Sequence, residues 1–225
     1  FKRTRTWGAG CHGKGGLRDG NRSGTGTYTD VATVDANRDG TPDIVAVTPN
    51  EDESADIMLF LQGASSSLWT AEEVETDLGG ASSLRVVDIS SDGIPDLLVA
   101  ASADDEIAWY RGYANATTYP KASVATGFDG AADAEAADID GDGDLDLACG
   151  NRNPYYIGGY DGTNGRPNRV YLNVDGVLEE YASWSSSEWD ATMSVAWGDF
   201  DNDGDLDLVV NNVNMRSFLY RNNSE

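Results

Sequence analysis

The chain has 225 residues, of which 40% are hydrophobic and 24% charged, and its formal net charge is −24 at pH 7. Those proportions describe a globular chain long enough for a sizeable core, not a disordered one. The acidic balance excludes a nucleic-acid partner, because no basic face could release counterions from a phosphate backbone, and apolar runs such as Ile107–Tyr110 and Leu206–Val210 are far too short for membrane insertion.

Taken from its start, the chain shows no signal peptide at Phe1, which reads as a mature or excised protein. Phe1–Trp7 (Phe-Lys-Arg-Thr-Arg-Thr-Trp) is a polar, Thr-bearing run suited to an outer strand. Gly8–Gly26 is a Gly-rich excursion that lacks the Lys-Ser/Thr ending of a phosphate loop. A repeat then begins. Runs rich in small and β-branched residues, Val31–Val34, Leu84–Val87, Ala134–Ala137 and Ser194–Gly198, lead into acidic loops anchored on Asp35, Asp88, Asp138 and Asp199. The anchors lie 53, 50 and 61 residues apart. Apolar runs follow the loops: Ile44–Val47, Leu97–Ala100, Leu145–Cys149 and Leu206–Val210. Beyond a turn come runs that carry an aromatic, Ile57–Leu61, Ile107–Arg111, Arg169–Asn173 and Ser217–Arg221, and three units add a fourth, more polar run, Trp69–Thr76, Lys121–Thr126 and Leu178–Trp184.

Four short antiparallel strands repeated at this spacing are the pattern of propeller blades. The expected fold is therefore all-β: a single β-propeller domain over residues 1–225, built of four four-stranded blades with a loop between the first and second strand of each. The units are 28–80, 81–130, 131–190 and 191–225. The last has no fourth run of its own, and Phe1–Trp7 is expected to complete it, within the same chain or by strand donation to a neighbouring copy.

The loops share one chemistry. They read Asp35-Ala-Asn37-Arg-Asp39-Gly-Thr41-Pro-Asp43, Asp88-Ile-Ser90-Ser-Asp92-Gly-Ile94-Pro-Asp96, Asp138-Ile-Asp140-Gly-Asp142-Gly-Asp144-Leu-Asp146 and Asp199-Phe-Asp201-Asn-Asp203-Gly-Asp205-Leu-Asp207. Carboxylates crowded this closely repel one another unless a cation holds them. Ca²⁺ takes six to eight hard oxygens; short acids at positions 1, 3 and 5 point inward on a loop whose sharp turn is permitted by Gly at position 6. Position 7 (Thr41, Ile94, Asp144, Asp205) offers its carbonyl, position 8 is apolar and should turn into the core, and the Asp at position 9 closes the site. A helical EF-hand would close with Glu at position 12, which here is Ala46, Val99, Cys149 or Val210. Up to four Ca²⁺ ions are expected, bound most tightly by loops three and four. Without that Glu the affinity should fall near 10⁻⁴–10⁻³ M, as in roughly millimolar extracellular calcium, which points to a secreted or cell-surface location.

The segments Asp138–Leu147 and Asp199–Val209, with Asn168-Arg-Val-Tyr-Leu-Asn173 and Phe218-Leu-Tyr-Arg-Asn-Asn223, resemble FG-GAP/VCBS repeats. These repeats form the β-propellers, usually of seven blades, of integrin α subunits and of many secreted bacterial proteins. The resemblance covers roughly Tyr28 to Asn223. It implies calcium ligation at positions 1, 3, 5, 7 and 9 of each loop, including Asn37 and Ser90.

Other features point less far. In unit three the turn after the second strand swells to Gly150–Pro167, where Tyr155, Tyr156 and Tyr160 lie among Gly, Asn and Asp. Such a loop suits a sugar ring or packs on itself. Cys11 and Cys149 form either a disulfide or two buried thiols, and with a single His (His12) neither a zinc site nor a hydrolytic triad is supported. Asn21, Asn115 and Asn222 begin glycosylation sequons. The expected function is a non-catalytic binding, adhesion or assembly module whose partner is an extracellular protein or glycan. The alternative is a secreted polysaccharide-lyase-like enzyme using Tyr155, Tyr156, Arg152 and Arg166. If Phe1–Trp7 supplies an outer strand, deleting residues 1–7 should lower the melting temperature or dissociate an assembly; unchanged melting and unchanged native mass would show that it supplies none.

Overall fold

Short apolar runs separated by Gly, Asp and Asn turns favour strands over helices. The computed structural model contains no helix among the residues it describes, which are 28–49, 56–63, 68–114, 117–126, 128, 130–152, 166–188, 191–213 and 216–223. The strands make four antiparallel sheets, each following its neighbour in sequence. Sheet I is β1 (Asp30–Val34), β2 (Asp43–Val47), β3 (Ile57–Gln62) and β4 (Trp69–Glu75). Sheet II is β5 (Ala81–Val87), β6 (Asp96–Ala101), β7 (Glu106–Tyr110) and β8 (Lys121–Thr126). Sheet III holds β9 (Ala131–Ala137), β10 (Asp146–Asn151), β11 (Arg169–Tyr171) and β14 (Trp184–Ser185), with a separate hairpin of β12 (Asn173–Val174) and β13 (Val177–Leu178). Sheet IV has three strands among the described residues, β15 (Thr192–Gly198), β16 (Asp207–Asn212) and β17 (Phe218–Tyr220).

One register recurs. The residue before each loop pairs with the ninth residue of that loop: Val34 with Asp43, Val87 with Asp96, Ala137 with Asp146 and Gly198 with Asp207. All four acidic loops therefore close the same hairpin.

The sheets pack face to face in chain order and bury three successive cores. Val45, Leu59, Leu84 and Leu97 lie between sheets I and II, Leu98, Ile107, Ala134 and Leu147 between II and III, and Ala148, Val195 and Leu208 between III and IV. The first strands β1, β5, β9 and β15 lie side by side, and β10 also comes close to β15. A Cβ on Gly150 would come within 2.9 Å of Thr192 Cγ2 in the next sheet. Polar clasps cross the same seam. Leu84 N donates to Asp30 Oδ2 at 3.0 Å and Val195 N to Asp133 Oδ2 at 3.2 Å. The Arg85 guanidinium reaches Glu135 at 2.6 Å, Asp133 at 2.9 Å and Asp30 at 3.6 Å, tying sheets I, II and III together.

Two expectations need correction, and one falls outside the described residues. The run Leu178–Trp184 is not one strand: Asp175 and Gly176 both have positive φ and turn the chain between β12 and β13, leaving only Trp184–Ser185 to pair with β11. Sheet IV shows three strands, and Phe1–Trp7, expected to be its fourth, lies outside the described residues. Position 8 of the loops does not turn fully inward: Pro42 is exposed, and Pro95, Leu145 and Leu206 are half-buried. The burial is taken over by the strand that follows.

Leu98 is fully buried between sheets II and III. Leu98→Ala should lower unfolding free energy by about 2–5 kcal/mol, the usual cost of such a cavity, read as a lower urea midpoint at unchanged slope.

Candidate metal centres

Each acidic loop is wound by its own side chains. The first Asp accepts the amide of the Gly at position 6: Gly40 to Asp35 at 3.0 Å, Gly93 to Asp88 at 2.7 Å, Gly143 to Asp138 at 3.1 Å and Gly204 to Asp199 at 3.2 Å. The fifth residue accepts the amide of the seventh, Thr41 to Asp39, Ile94 to Asp92, Asp144 to Asp142 and Asp205 to Asp203, at 2.8–3.0 Å. Two left-handed residues make the winding tight. Position 6 has φ of 81–102° in every loop, and position 4, occupied by Arg38, Ser91, Gly141 and Asn202, is left-handed as well. A Cβ on any of the position-6 glycines would touch nothing, so Gly is required there by φ and not by space.

The ninth residue does something different. Asp43, Asp96, Asp146 and Asp207 are fully buried. One oxygen of each accepts an amide near the start of its own loop, from Ala36, Ser90, Ile139 or Phe200, at 2.9–3.0 Å. The other accepts the amide at the end of the third strand, from Gln62, Gly112, Asn173 or Asn222, at 2.7–2.9 Å. Burial pushes the Asp96 and Asp146 carboxyls above their ordinary value against the pull of these amides. The ninth Asp thus staples the loop to a strand that is distant in sequence.

In loops three and four the acids converge. Oxygens of Asp138, Asp140 and Asp146 lie within 4.8 Å of one another, as do those of Asp199, Asp201 and Asp207. Ca²⁺–oxygen bonds of about 2.3–2.6 Å place ligands up to about 5 Å apart, so these triads fit the ion. Asp201 is pushed upward by partial desolvation and then by the charges of Asp203 and Asp207; a dication would relieve that repulsion. Loop one has Asn37 at the third position, donating to Asp39 at 3.0 Å. Loop two has Ser90 there, and Arg111 pairs with Asp92 at 3.0 Å. In loop four Arg221 pairs with Asp201 at 3.1 Å, whereas in loop three the matching residue is Leu172, so loop three carries no such basic neighbour.

Two functional side chains were not singled out from sequence as loop partners. Asn173 Nδ2 donates to Ile89 O at 2.8 Å and Leu145 O at 3.1 Å, and Asn222 Nδ2 donates to Ile139 O at 3.1 Å. Each reaches into the loop of the preceding sheet. The signal was the repeated Tyr-x-Asn at Tyr171–Asn173 and Tyr220–Asn222. Asn222 was marked only as a sequon, and the nitrogen that would carry a glycan is engaged here.

Of the remaining candidates, Tyr155, Tyr156, Tyr160, Cys11, Asn21 and Asn115 lie outside the described residues. Cys149 is a free, fully buried thiol in the core between sheets II and III, and burial pushes it far above the ordinary thiol range. A cavity of about 420 Å³ lies between sheets III and IV, lined by Trp184, Trp197, Leu208, Tyr220 and Arg221 among others. Tyr119, from the segment between β7 and β8, packs into the core between sheets I and II, and Leu178 and Ala182 pack against the core between II and III.

A family model described as an FG-GAP-like repeat matches the chain three times, at residues 35–99, 88–149 and 150–210. The first two matches begin on the first Asp of a loop, so the matched unit runs from one loop into the next. No curated protein matches the chain.

If the ninth Asp is a staple as well as a ligand, Asp146→Asn should cost about 1–3 kcal/mol in chelator, because one of its two buried amide donors loses its acceptor. Asp140→Asn should leave the chelator-treated melting point nearly unchanged. Equal behaviour of the two variants in chelator would remove the staple.

Proposed function

The chain belongs to the FG-GAP-like repeat family, and on that premise we propose that it is a calcium-stabilised, propeller-like repeat module that serves outside the cell as a non-catalytic scaffold for binding or assembly. The observation that carries this reading is the pair of three-carboxylate clusters, Asp138–Asp140–Asp146 and Asp199–Asp201–Asp207, set on one repeated hairpin register. Calcium would be held by the acids of positions 1, 3, 5 and 9 with the carbonyl of position 7. It would supply charge neutralisation, drawing the loop closed over the end of each sheet.

Several features support a scaffold over an enzyme. The loop carboxylates are engaged by loop amides and aimed at one another, which suits cation binding better than proton transfer. The sheets meet through broad apolar cores. Weak loop sites of about 10⁻⁴–10⁻³ M fill only where calcium is near millimolar, outside the cell. The partner we propose is an extracellular protein or a glycan, met by surfaces that the calcium loops hold rigid. Turnover of an acidic polysaccharide in a lyase absorbance assay would replace this reading with the enzymatic one.

The test is thermal unfolding with chelator and with calcium. A site that binds only the folded state contributes about 2.7 kcal/mol at calcium a hundredfold above Kd. Two such sites should raise the melting temperature by roughly 10–20 °C for a domain of this size. Magnesium should do much less, since it demands a tighter octahedral shell. Asp140→Asn and Asp201→Asn should each remove part of the rise, and together most of it. A melting temperature indifferent to calcium would end the proposal.

A further inference from the structure

Loops two and three lie on different sheets and are far apart in sequence, yet they are bonded to each other. Ser91, the fourth residue of loop two, donates its hydroxyl to Asp144 Oδ1, the seventh residue of loop three, at 2.7 Å. Asn173 spans the same pair. Its Nδ2 donates to Ile89 O in loop two at 2.8 Å and to Leu145 O in loop three at 3.1 Å, while Asp146 Oδ1 accepts its backbone amide at 2.8 Å. Asn173 is fully buried and opens the β12–β13 hairpin. The turn of that hairpin lies against loop two: a Cβ on Gly176 would come within 2.7 Å of Ser90 O. The Asp144 carboxylate also accepts the amides of Asp175 and Gly176. The side chain at position 7 of loop three is therefore committed to a clasp between the loops.

The bridge is particular to this pair of loops. In sheet II the residue matching Asn173 is Gly112, which has no side chain to reach loop one, and a Cβ there would fall 2.2 Å from Pro95 O. The two joined loops also differ in their pull on a cation. Loop three has five aspartates in nine residues and Leu172 at the position from which Arg111 pairs with Asp92 of loop two. Loop two has Ser90 at its third position. Of the two, loop three takes a dication first, and loop two is the one that gains from help.

We propose that loops two and three bind calcium as a coupled pair, with Asn173 and Ser91 as the positioning residues that join them. When loop three is occupied, Asp144 and Leu145 are held in place, and they hold Ile89 and Ser91 of loop two through these side chains. Part of the ordering of loop two is then complete before its own ion arrives, so it fills at a lower calcium concentration than it would alone. Ordering shared in this way gives positive cooperativity without any large change of shape, and linkage makes the effect reciprocal. The inference rests on the calcium reading above and deepens it.

The test follows residue-resolved amide exchange through a calcium titration, with Gly143 reporting loop three and Gly93 reporting loop two. Asp140→Asn, which disables loop three, should raise the calcium midpoint at Gly93 by at least about fivefold, the lower end of common coupling between sites. The same substitution is then made in Ser91→Gly, which removes the hydroxyl and suits the left-handed backbone of that exposed position. There it should move the Gly93 midpoint less, and with Asn173→Ala added it should barely move it. Should the Asn173→Ala protein not fold, the Ser91→Gly comparison decides alone. A Gly93 midpoint that ignores Asp140→Asn, or that moves as far without the Ser91 hydroxyl as with it, overturns the coupling. Calcium that slows Gly143 but never Gly93 also overturns it and leaves the calcium reading standing. Calcium that slows neither amide overturns both.

Discussion

A buried carboxylate with two backbone amides on it holds each unit of this protein together. Asp43, Asp96, Asp146 and Asp207 sit at the point where an exposed acidic loop enters the sheet, and each joins the loop to the end of the third strand. A charge taken out of water is costly unless it is well bonded, and charge-assisted bonds to amides are among the stronger ones available. Because the ninth residue is fixed from both sides, the first, third and fifth can be held close together on the surface. The register in which the residue before each loop pairs with its ninth residue is the same in all four sheets, and it places that anchor at the same point of each.

The same arrangement explains why the loops differ. Acids held this close need a counter-charge, and the chain supplies some itself. Arg111 neutralises part of loop two and Arg221 part of loop four, each from the residue just beyond a third strand. Loop three has Leu172 there and five aspartates in nine residues. It is the loop with most to gain from a cation. Asn173 and Asn222 link loops of successive sheets through backbone carbonyls, so ordering one loop should steady the next.

How much of this was legible in the sequence depended on how local the cause was. The loops were legible because their chemistry demands Asp and Gly at fixed positions. The strands around them were legible from β-branched runs between turns. The staple made by Asp146 was not, since a carboxylate that binds amides and one that would bind a cation are both written as Asp. The β12–β13 hairpin was signalled by Val-Asp-Gly-Val at 174–177, but the apolar run beyond it drew the reading toward one long strand. Which strand faces are covered among the described residues could not be read at all. Val45 and Val209 look alike in sequence and differ only in whether another sheet lies over them.

The central claim is that four buried aspartates anchor loops which calcium then orders, and residue-resolved amide hydrogen exchange measures it most directly. In chelator the amides of Gln62, Gly112, Asn173 and Asn222 should already exchange slowly, while those of Gly40, Gly93, Gly143 and Gly204 exchange fast. Adding calcium should slow the glycine amides, that of Gly143 first. Strand-end amides that exchange as fast as the loops in chelator, or glycine amides that calcium leaves unchanged, would contradict the account.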